Sequence, residues 1–408
     1  MDAKHNPDKI SIIRREHLAV FVATADTFAW YALIYIFMID IVGKLHVTSI
    51  ETLVIFAFHY VGVASSAILN PFILKKIVNR NLFLLFWMFF GVCASALLLV
   101  LEISMPTSAF IIFLLLGFSI GIGLPSCLAY FADSIKIENR GKAGGIVWVA
   151  AGLGTLSFAV LFYASDTVTM ILTLAILRAI GMLFFLLRHE RKTPNLEIDT
   201  SYSSIIGDRH ILLYLIPWIM FCLINWTETP IVENLFGEEF FRFITFIAFA
   251  VSGIFALIGG FFSDVVGRKR LIITGFIMLG IEYAVLSFLH EAMIGRYIYV
   301  FLDGITWGMF AVVFFIVLWG DLAENKMKEK YYVIGGLPYL LASFLQVLVK
   351  PYVKSIPVNT AFSLASFFLF LAVLPLMYAS ETLPEKKIKE RELKGYIEKA
   401  KKVKEKYT

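Results

Sequence analysis

The sequence is poor in charged residues and in cysteine, and each shortage excludes a class of protein. Of the 408 residues, 16% are charged, against about 25% in typical soluble domains, so a cytosolic enzyme is not expected. The three cysteines, Cys93, Cys127 and Cys222, lie inside apolar runs without paired spacing. This pattern excludes a disulfide framework and a zinc site, so neither a metal nor a cofactor is expected.

Motifs for nucleotide binding and metal-dependent hydrolysis are also missing. The chain has no Walker loop, no Gly-x-Gly-x-x-Gly after a strand and no HExxH helix, and catalysis is therefore not expected. The net charge of +5 does not indicate nucleic acid, because the basic residues lie mainly in short connecting loops.

Long apolar runs dominate instead, with 59% hydrophobic residues and a mean hydropathy of +0.81. A bilayer core needs about 20 apolar residues per helix. Twelve runs approach this length and predict an all-α membrane protein with twelve transmembrane helices. The predicted spans are Leu18–Val42, Leu53–Leu74, Leu82–Leu101, Ala109–Phe131, Ala143–Tyr163, Val168–Leu187, Ile211–Thr227, Phe243–Phe262, Leu271–Leu289, Tyr297–Trp319, Tyr332–Val349 and Ala361–Tyr378.

Loops rich in lysine and arginine alternate with loops that have few, and this pattern predicts the orientation of the spans. With a cytoplasmic N-terminus, most of the 36 basic residues fall on the cytoplasmic side, as the positive-inside rule requires. Both termini are therefore expected in the cytoplasm. We expect a multi-pass, monomeric protein of the cell membrane, with the lipid bilayer as its surroundings.

The six-span pattern repeats once along the chain. Gly117 and Gly121 in span four match Gly304 and Gly308 in span ten, which predicts two pseudo-symmetric six-helix bundles with a cleft between them. The predicted organisation is an N-terminal six-helix bundle over 1–187, a cytoplasmic linker over 188–209, a C-terminal six-helix bundle over 210–380 and a basic cytoplasmic tail over 381–408.

The loop after span eight carries a distinctive motif, with Gly260, Asp264, Gly267, Arg268 and Lys269 in the order Gly-x-x-x-Asp-x-x-Gly-Arg-Lys. It resembles the signature loop of the major facilitator superfamily (MFS) of secondary transporters, at its second-half position. The resemblance extends over essentially the whole chain. It implies the MFS fold, a small-molecule substrate moved by alternating access, and a cytoplasmic gate in which Asp264 faces the start of span five.

The first-half copy of this motif departs from the family pattern. The positions of Gly260, Asp264, Gly267 and Arg268 are taken by Pro71, Lys75, Val78 and Asn79. Because lysine replaces the acid, we expect an inverted charge contact at this gate. Lys75 or Lys76 would then meet one of the acids between spans ten and eleven, namely Asp321, Glu324 or Glu329.

Few ionisable residues lie within the spans, and each needs a partner or a role. Asp26 and Arg178 lie at about 13 and 15 Å from the cytoplasmic side by the helical rise, so an ion pair is predicted, with a proton or substrate site at Asp26 as the alternative. Asp303 has no base at its depth in its own half. It is the main candidate for proton coupling or for the polar end of the substrate, assisted by His59 or Gln346.

Further candidates for the substrate site are aromatic or amide residues on cavity-type spans. They are Trp148, Trp226, Trp307 and Asn225, with packing as the alternative role of each tryptophan. Pro230 is expected to end or kink span seven, and Glu282 is expected to make a structural hydrogen bond. The predicted function is proton-coupled transport of a small solute, with a solute sensor or an intramembrane enzyme on the same scaffold as alternatives.

Overall fold

In a computed structural model, the described residues are 17–45, 47–77, 79–101, 105–163, 166–188, 198–383 and 393. Much of the predicted linker, residues 189–197, and nearly all of the basic tail lie outside this part of the chain, as does Val78.

Twelve helices are long and apolar enough to cross a membrane, and the described ranges contain no β-strand beyond one isolated bridge. The all-α class and the number of spans are therefore confirmed. The helices are α1 Leu18–Lys44, α2 Ser49–Leu74, α3 Arg80–Leu97, α4 Thr107–Ser134, α5 Ile137–Ala159, α6 Thr167–Leu187, α7 Arg209–Phe236, α8 Glu239–Val265, α9 Arg268–Leu289, α10 Met293–Ala323, α11 Lys328–Ser355 and α12 Val358–Tyr378.

Local sequence fixes where several of these helices begin and end. A capping box starts α2, because the backbone N–H of Thr48 donates to Glu51 and the hydroxyl of Thr48 accepts from the backbone of Glu51. Gly237 ends α7 and Gly267 precedes α9, with φ of 79° and 108°. Both values lie in the left-handed region that favours glycine.

The repeated glycines allow equivalent helix pairs in the two halves to pack closely. A side chain at Gly117 or Gly121 would collide with the backbone of α2, and one at Gly304 or Gly308 would collide with α8. The pairs α2–α4 and α8–α10 therefore occupy equivalent places in the two six-helix bundles. The observed packing gives the sequence repeat a physical reason.

The two halves meet along α5 and α8, again through glycine. A Cβ atom at Gly145 would lie 2.5 Å from the carbonyl oxygen of Ala256, and Gly141 faces the backbone of Gly260. A second contact joins α2 to α11, where the Ser343 hydroxyl donates to the Tyr60 hydroxyl at 2.6 Å.

Of the two outcomes expected at Pro230, an end of span seven is wrong. The helix continues through Pro217 and Pro230 to Phe236. Proline is tolerated inside membrane helices because neighbouring helices and side chains satisfy the carbonyl groups it leaves free. The longer helix brings Glu228 into the packed interior, where it is 5% exposed.

Candidate functional site

A cavity of about 200 Å³ lies within the C-terminal half, between α7, α8, α10 and α11. We use the term basic end for the end of the bundle with the loops that carry Lys75, Lys136 and Lys326. The start of α10 lies at the other end of the bundle. Asp303 is ten residues from this start, so it lies about 15 Å from that end. The lining residues are Asn225, Trp226, Glu228, Thr229, Phe241, Ile244, Thr245, Ala248, Tyr299, Val300, Asp303, Trp307 and Tyr339.

Four of the predicted site residues are brought together by this cavity. Asn225 and Trp226 line it from α7, and Asp303 and Trp307 line it from α10. Trp307 lies four residues after Asp303 in α10, and both side chains border the cavity. The spacing of four within α10 places these two side chains on one face of the helix.

Two more carboxyls belong to this site, and we call Glu228, Glu282 and Asp303 the acid cluster. Glu228 accepts a hydrogen bond from the Tyr283 hydroxyl through one oxygen, while its other oxygen is buried without a partner among the described residues. Glu282 interacts electrostatically with both Asp303 and Glu228. Within the described chain, no lysine, arginine or histidine forms a salt bridge with any of the three.

The structural hydrogen bond expected for Glu282 is not observed. Its side chain is fully buried, and neither carboxylate oxygen has a hydrogen-bond partner in the described part of the chain. The physical reason is its position on α9, where its charged neighbours are two other carboxyls rather than donors. Glu282 therefore belongs to the acid cluster rather than to a structural contact.

Aromatic rings form much of the remaining cavity wall. The Tyr339 ring centroid lies 5.2 Å from that of Trp226 and 5.7 Å from that of Trp307. The indole Nε1 of Trp226 is buried and has no hydrogen-bond acceptor among the described residues. The cavity thus offers carboxylate acceptors, one free donor and broad π faces to a bound solute.

Asp26 and Arg178 are in direct contact in the N-terminal half. Arg178 Nη1 donates to Asp26 Oδ2 at 2.6 Å and to the Thr27 hydroxyl at 3.2 Å. The guanidinium lies between two indoles, with its Cζ 4.6 Å from the Trp30 centroid and 4.1 Å from the Trp87 centroid. Cation–π contacts of this kind stabilise a desolvated guanidinium. This environment favours the structural role over a titrating one.

The other predicted candidates lie away from the cavity wall. His59 is fully buried, with its Nδ1 atom 3.2 Å from the Phe113 carbonyl oxygen, and Gln346 donates to the Tyr35 hydroxyl. Trp148 stacks on Phe315 across the two halves, with ring centroids 5.9 Å apart. Neither His59 nor Gln346 is among the described residues that line the cavity with Asp303.

The signature motif joins the two halves at the basic end. The Asp264 carboxylate accepts hydrogen bonds from the backbone N–H groups of Gly141 at 2.8 Å and Lys142 at 2.9 Å, at the start of α5. A helix N-terminus favours negative charge. Gly260 packs against Gly141, so these two elements approach closely enough for the carboxylate to reach the backbone.

The arginine of the motif extends this contact into a buried network. Arg268 donates to Asp321 at 3.0 Å and to the carbonyl of Ile137 at 2.6 Å, while Asp321 also pairs with Arg140 at 2.6 Å. Beside it, the backbone N–H groups of Arg268 and Lys269 donate to the Glu381 carboxylate, which also packs against Gly267. Sequence reasoning missed Arg140 and the central place of Asp321.

The inverted gate contact predicted for Lys75 is wrong in its partner. Lys75 pairs with Asp199 of the linker, whereas Glu329 pairs with Arg80 at 2.7 Å. A further pair joins Lys328 to Asp133 at 2.8 Å. The linker supplies the acid because its last residues, Ile198 and Asp199, lie beside Lys326 and Lys330 at the basic end, within reach of Lys75.

The end of the linker is held to both halves. Ile198 forms a β-bridge with Lys326, and Asp199 pairs with Lys330 at 2.8 Å as well as with Lys75. Hydrogen bonds from Lys330 and Lys75 hold the pKa of Asp199 below its usual range. The short helix Tyr202–Ile206 follows and ends just before α7.

A depth calculation could have placed Glu282 near the candidate site instead of in a structural role. Glu282 lies fourteen residues from the start of α9, or about 21 Å from the basic end, which is close to the level of Asp303. Glu228 was hidden by the expectation that Pro230 ends its helix. The lateral contacts among α7, α9 and α10, by contrast, cannot be obtained from depth alone.

The fold and the locked signature loop define a membrane transporter built from two six-helix halves. A sequence model of the Major Facilitator Superfamily matches residues 18–327. The chain belongs to this family and is a secondary transporter. A search of curated proteins finds no match to the sequence.

Solved structures of this fold are similar over most of the chain. The human organic anion transporter MFSD10 (TETRAN) has a TM-score of 0.66 at 14% identity, covering 89% of this chain and 99% of its own. The E. coli fucose:proton symporter FucP has a TM-score of 0.67 at 12% identity, covering 89% and 98%. The proton:xylose symporter XylE bound to 6-bromo-6-deoxy-D-glucose has a TM-score of 0.65 at 15% identity, covering 90% and 96%.

Proposed function

We propose that the protein is a proton-coupled symporter of a small solute and that Asp303 carries the coupling. The halves 1–187 and 210–380 move against each other, and both termini lie on the cytoplasmic side of the cell membrane. The protein works as a monomer and without catalysis. The fold is one that proton symporters use, as the fucose and xylose transporters show.

The acid cluster beside the cavity is the observation that supports this proposal best. A buried carboxylate without a counter-charge is costly, so it is neutralised by a proton or by a bound cation. Asp26 has Arg178 as its counter-charge, whereas Asp303 has no basic partner in the described chain. The cluster is therefore the place where proton binding and solute binding can influence each other.

The contacts at the basic end supply the second element of alternating access. Asp264 against Gly141, Asp321 against Arg140, and Glu329 against Arg80 all join the two halves on the side that we assign to the cytoplasm. The cavity lies toward the opposite end. Solute and proton therefore enter from outside, and the contacts at the basic end must break before release inside.

Counterflow in proteoliposomes tests the proposal. A thermal-shift screen of the full-length protein against sugars, organic acids, amino acids and drugs first provides a solute. Exchange of the unchanged solute, with uphill accumulation under an inward proton gradient, is expected. A chemically altered product would indicate an enzyme, and binding without exchange would indicate a sensor. Accumulation that ignores the proton gradient would contradict proton coupling.

A further inference from the structure

We propose that the solute carries a positively charged amino or ammonium group, which binds in the C-terminal cavity between Glu228, Asp303 and the rings of Trp226 and Trp307. The inference rests on the proposed transport function and names the chemical class of its solute.

The charge of the cavity is the first reason. Glu228 and Asp303 line it, Glu282 lies within electrostatic reach of both, and none of the described lining residues is lysine, arginine or histidine. Glu228 is 5% exposed, and one of its carboxylate oxygens has no partner in the described chain. An anionic group would be repelled here, whereas a cationic group supplies the missing counter-charge.

The aromatic wall is an independent reason. Trp226 and Trp307 both lie close to the Tyr339 ring, so several π faces enclose the cavity beside the two carboxyls. The face of an aromatic ring attracts organic cations, and tryptophan does so most strongly. A carboxylate combined with several aromatic faces is a suitable environment for an ammonium group.

A metal ion fits the same site poorly. Among the described residues, no group of three or more histidine, cysteine, aspartate or glutamate side chains is arranged to hold a metal ion. Calcium and magnesium need a full shell of oxygen ligands, which indole and phenol rings do not provide. The volume of about 200 Å³ suits a small organic group.

Proton coupling remains compatible with a cationic solute. The acid cluster has three carboxyls, so one ammonium group and a proton can be bound together. The neutral groups near Glu228 are Tyr283 from α9 and Tyr299 from α10, and Tyr339 from α11 lines the same cavity. None of these tyrosines supplies a positive charge.

Calorimetric titration of the full-length protein with matched probes tests the inference. The first pair of probes is choline and its neutral isostere 3,3-dimethyl-1-butanol. The second pair is phenethylammonium and the neutral 2-phenylethanol. At least one cation should bind about tenfold or more tightly than its neutral partner, as a desolvated cation–π and carboxylate site requires. Glu228→Gln and Trp226→Leu should each weaken binding of that cation by a similar factor. Both variants are compared only as protein that elutes from size exclusion as the wild type does.

The matched control is Glu233→Gln, which changes an acid on the same helix that pairs with Lys350 outside the cavity. It should leave the cation affinity unchanged. Equal binding of the neutral partners, no binding of either cation, or unchanged affinity in Glu228→Gln would overturn the inference. Proton-driven accumulation of a neutral solute alone would contradict a cationic solute but would leave the proposed transport function intact. Cation binding without any exchange would support the cationic ligand but would contradict the transport function.

Discussion

Asp26 and Asp303 are both carboxyls inside membrane-spanning helices, but their neighbours differ. Asp26 contacts Arg178, which is itself enclosed by Trp30 and Trp87. Asp303 faces a cavity and other carboxyls. A carboxyl with a fixed counter-charge is suited to holding helices together, whereas one without it is suited to binding and releasing a charge.

Asp26→Asn should lower stability rather than coupling. Removing the carboxylate leaves the Arg178 guanidinium buried and unpaired, which costs about 3–5 kcal/mol for a buried pair. We expect a lower folded yield and a lower midpoint of thermal unfolding in detergent, measured by fluorescence-detected size exclusion. Arg178→Gln in the same chain should restore part of the loss. Normal yield with lost proton coupling would show that Asp26 is the titrating group.

Asp264→Asn should weaken closure at the basic end. Asp264 is buried at the start of α5, where a favourable charge is worth up to about 2 kcal/mol. Met327 packs with Leu74 and Phe83 in a small apolar cluster, so Met327→Cys in a chain without the native cysteines serves as the reporter. This cysteine should react faster with a thiol reagent added at the basic end. Glu324→Gln, an exposed acid at the same end, serves as the control. An unchanged rate in Asp264→Asn would argue against the lock.

Among the elements, the linker shows best what sequence alone leaves open. The sequence shows that Lys75 replaces the family's acid and that it needs an acidic partner. The sequence does not identify Asp199 as that partner, because a linker between two bundles has no periodicity that indicates which loop it contacts. Its β-bridge to Lys326 is a tertiary contact, made when the chain returns along the basic end.

Asp199→Asn should loosen the linker without moving the pH profile of transport. Asp199 is itself half exposed in both pairs, so each pair is worth about 0–1 kcal/mol and the change should be mild. Hydrogen–deuterium exchange should be faster at the backbone amides of Ile198 and Met327, which bond across the bridge. Unchanged exchange at both amides would contradict the role of Asp199 in holding the linker.

The sign of the pH effect follows from the lowered pKa of Asp199. A depressed folded pKa gives stability that is complete above the unfolded value of about 3.9 and is lost only as the pH falls through the lower folded value. The two Asp199 pairs therefore remain charged between about pH 5 and 8. If the pH profile of transport shifts over that range in Asp199→Asn, Asp199 itself titrates during transport.

Over the whole molecule, most of the architecture was predictable, because lipid imposes simple rules on sequence. Twelve apolar runs became twelve helices, and the repeated glycines became equivalent close contacts in the two halves. The site was predictable in part. Asp303, Trp307, Asn225 and Trp226 meet at one cavity. The acids that complete it depend on a helix continuing past a proline and on side-by-side packing, which local patterns do not encode.

The two ends of the molecule differ in a way that single helices do not show. Charged contacts join the halves at the basic end, while the cavity and the acid cluster lie toward the other end. In a transporter with this asymmetry, binding in the cavity must be coupled to the breaking of contacts at the opposite end of the helices. We propose that binding of a proton or a cation at Asp303 drives this coupling.

The most direct test measures proton-driven accumulation and counterflow side by side in proteoliposomes containing wild type, Asp303→Asn or the control Glu233→Gln. Asp303→Asn keeps the size of the side chain but cannot bind and release a proton. We expect Asp303→Asn to lose uphill accumulation under an inward proton gradient while still exchanging solute, and we expect Glu233→Gln to behave as wild type. Uphill accumulation at the wild-type level by Asp303→Asn would show that Asp303 does not carry proton coupling.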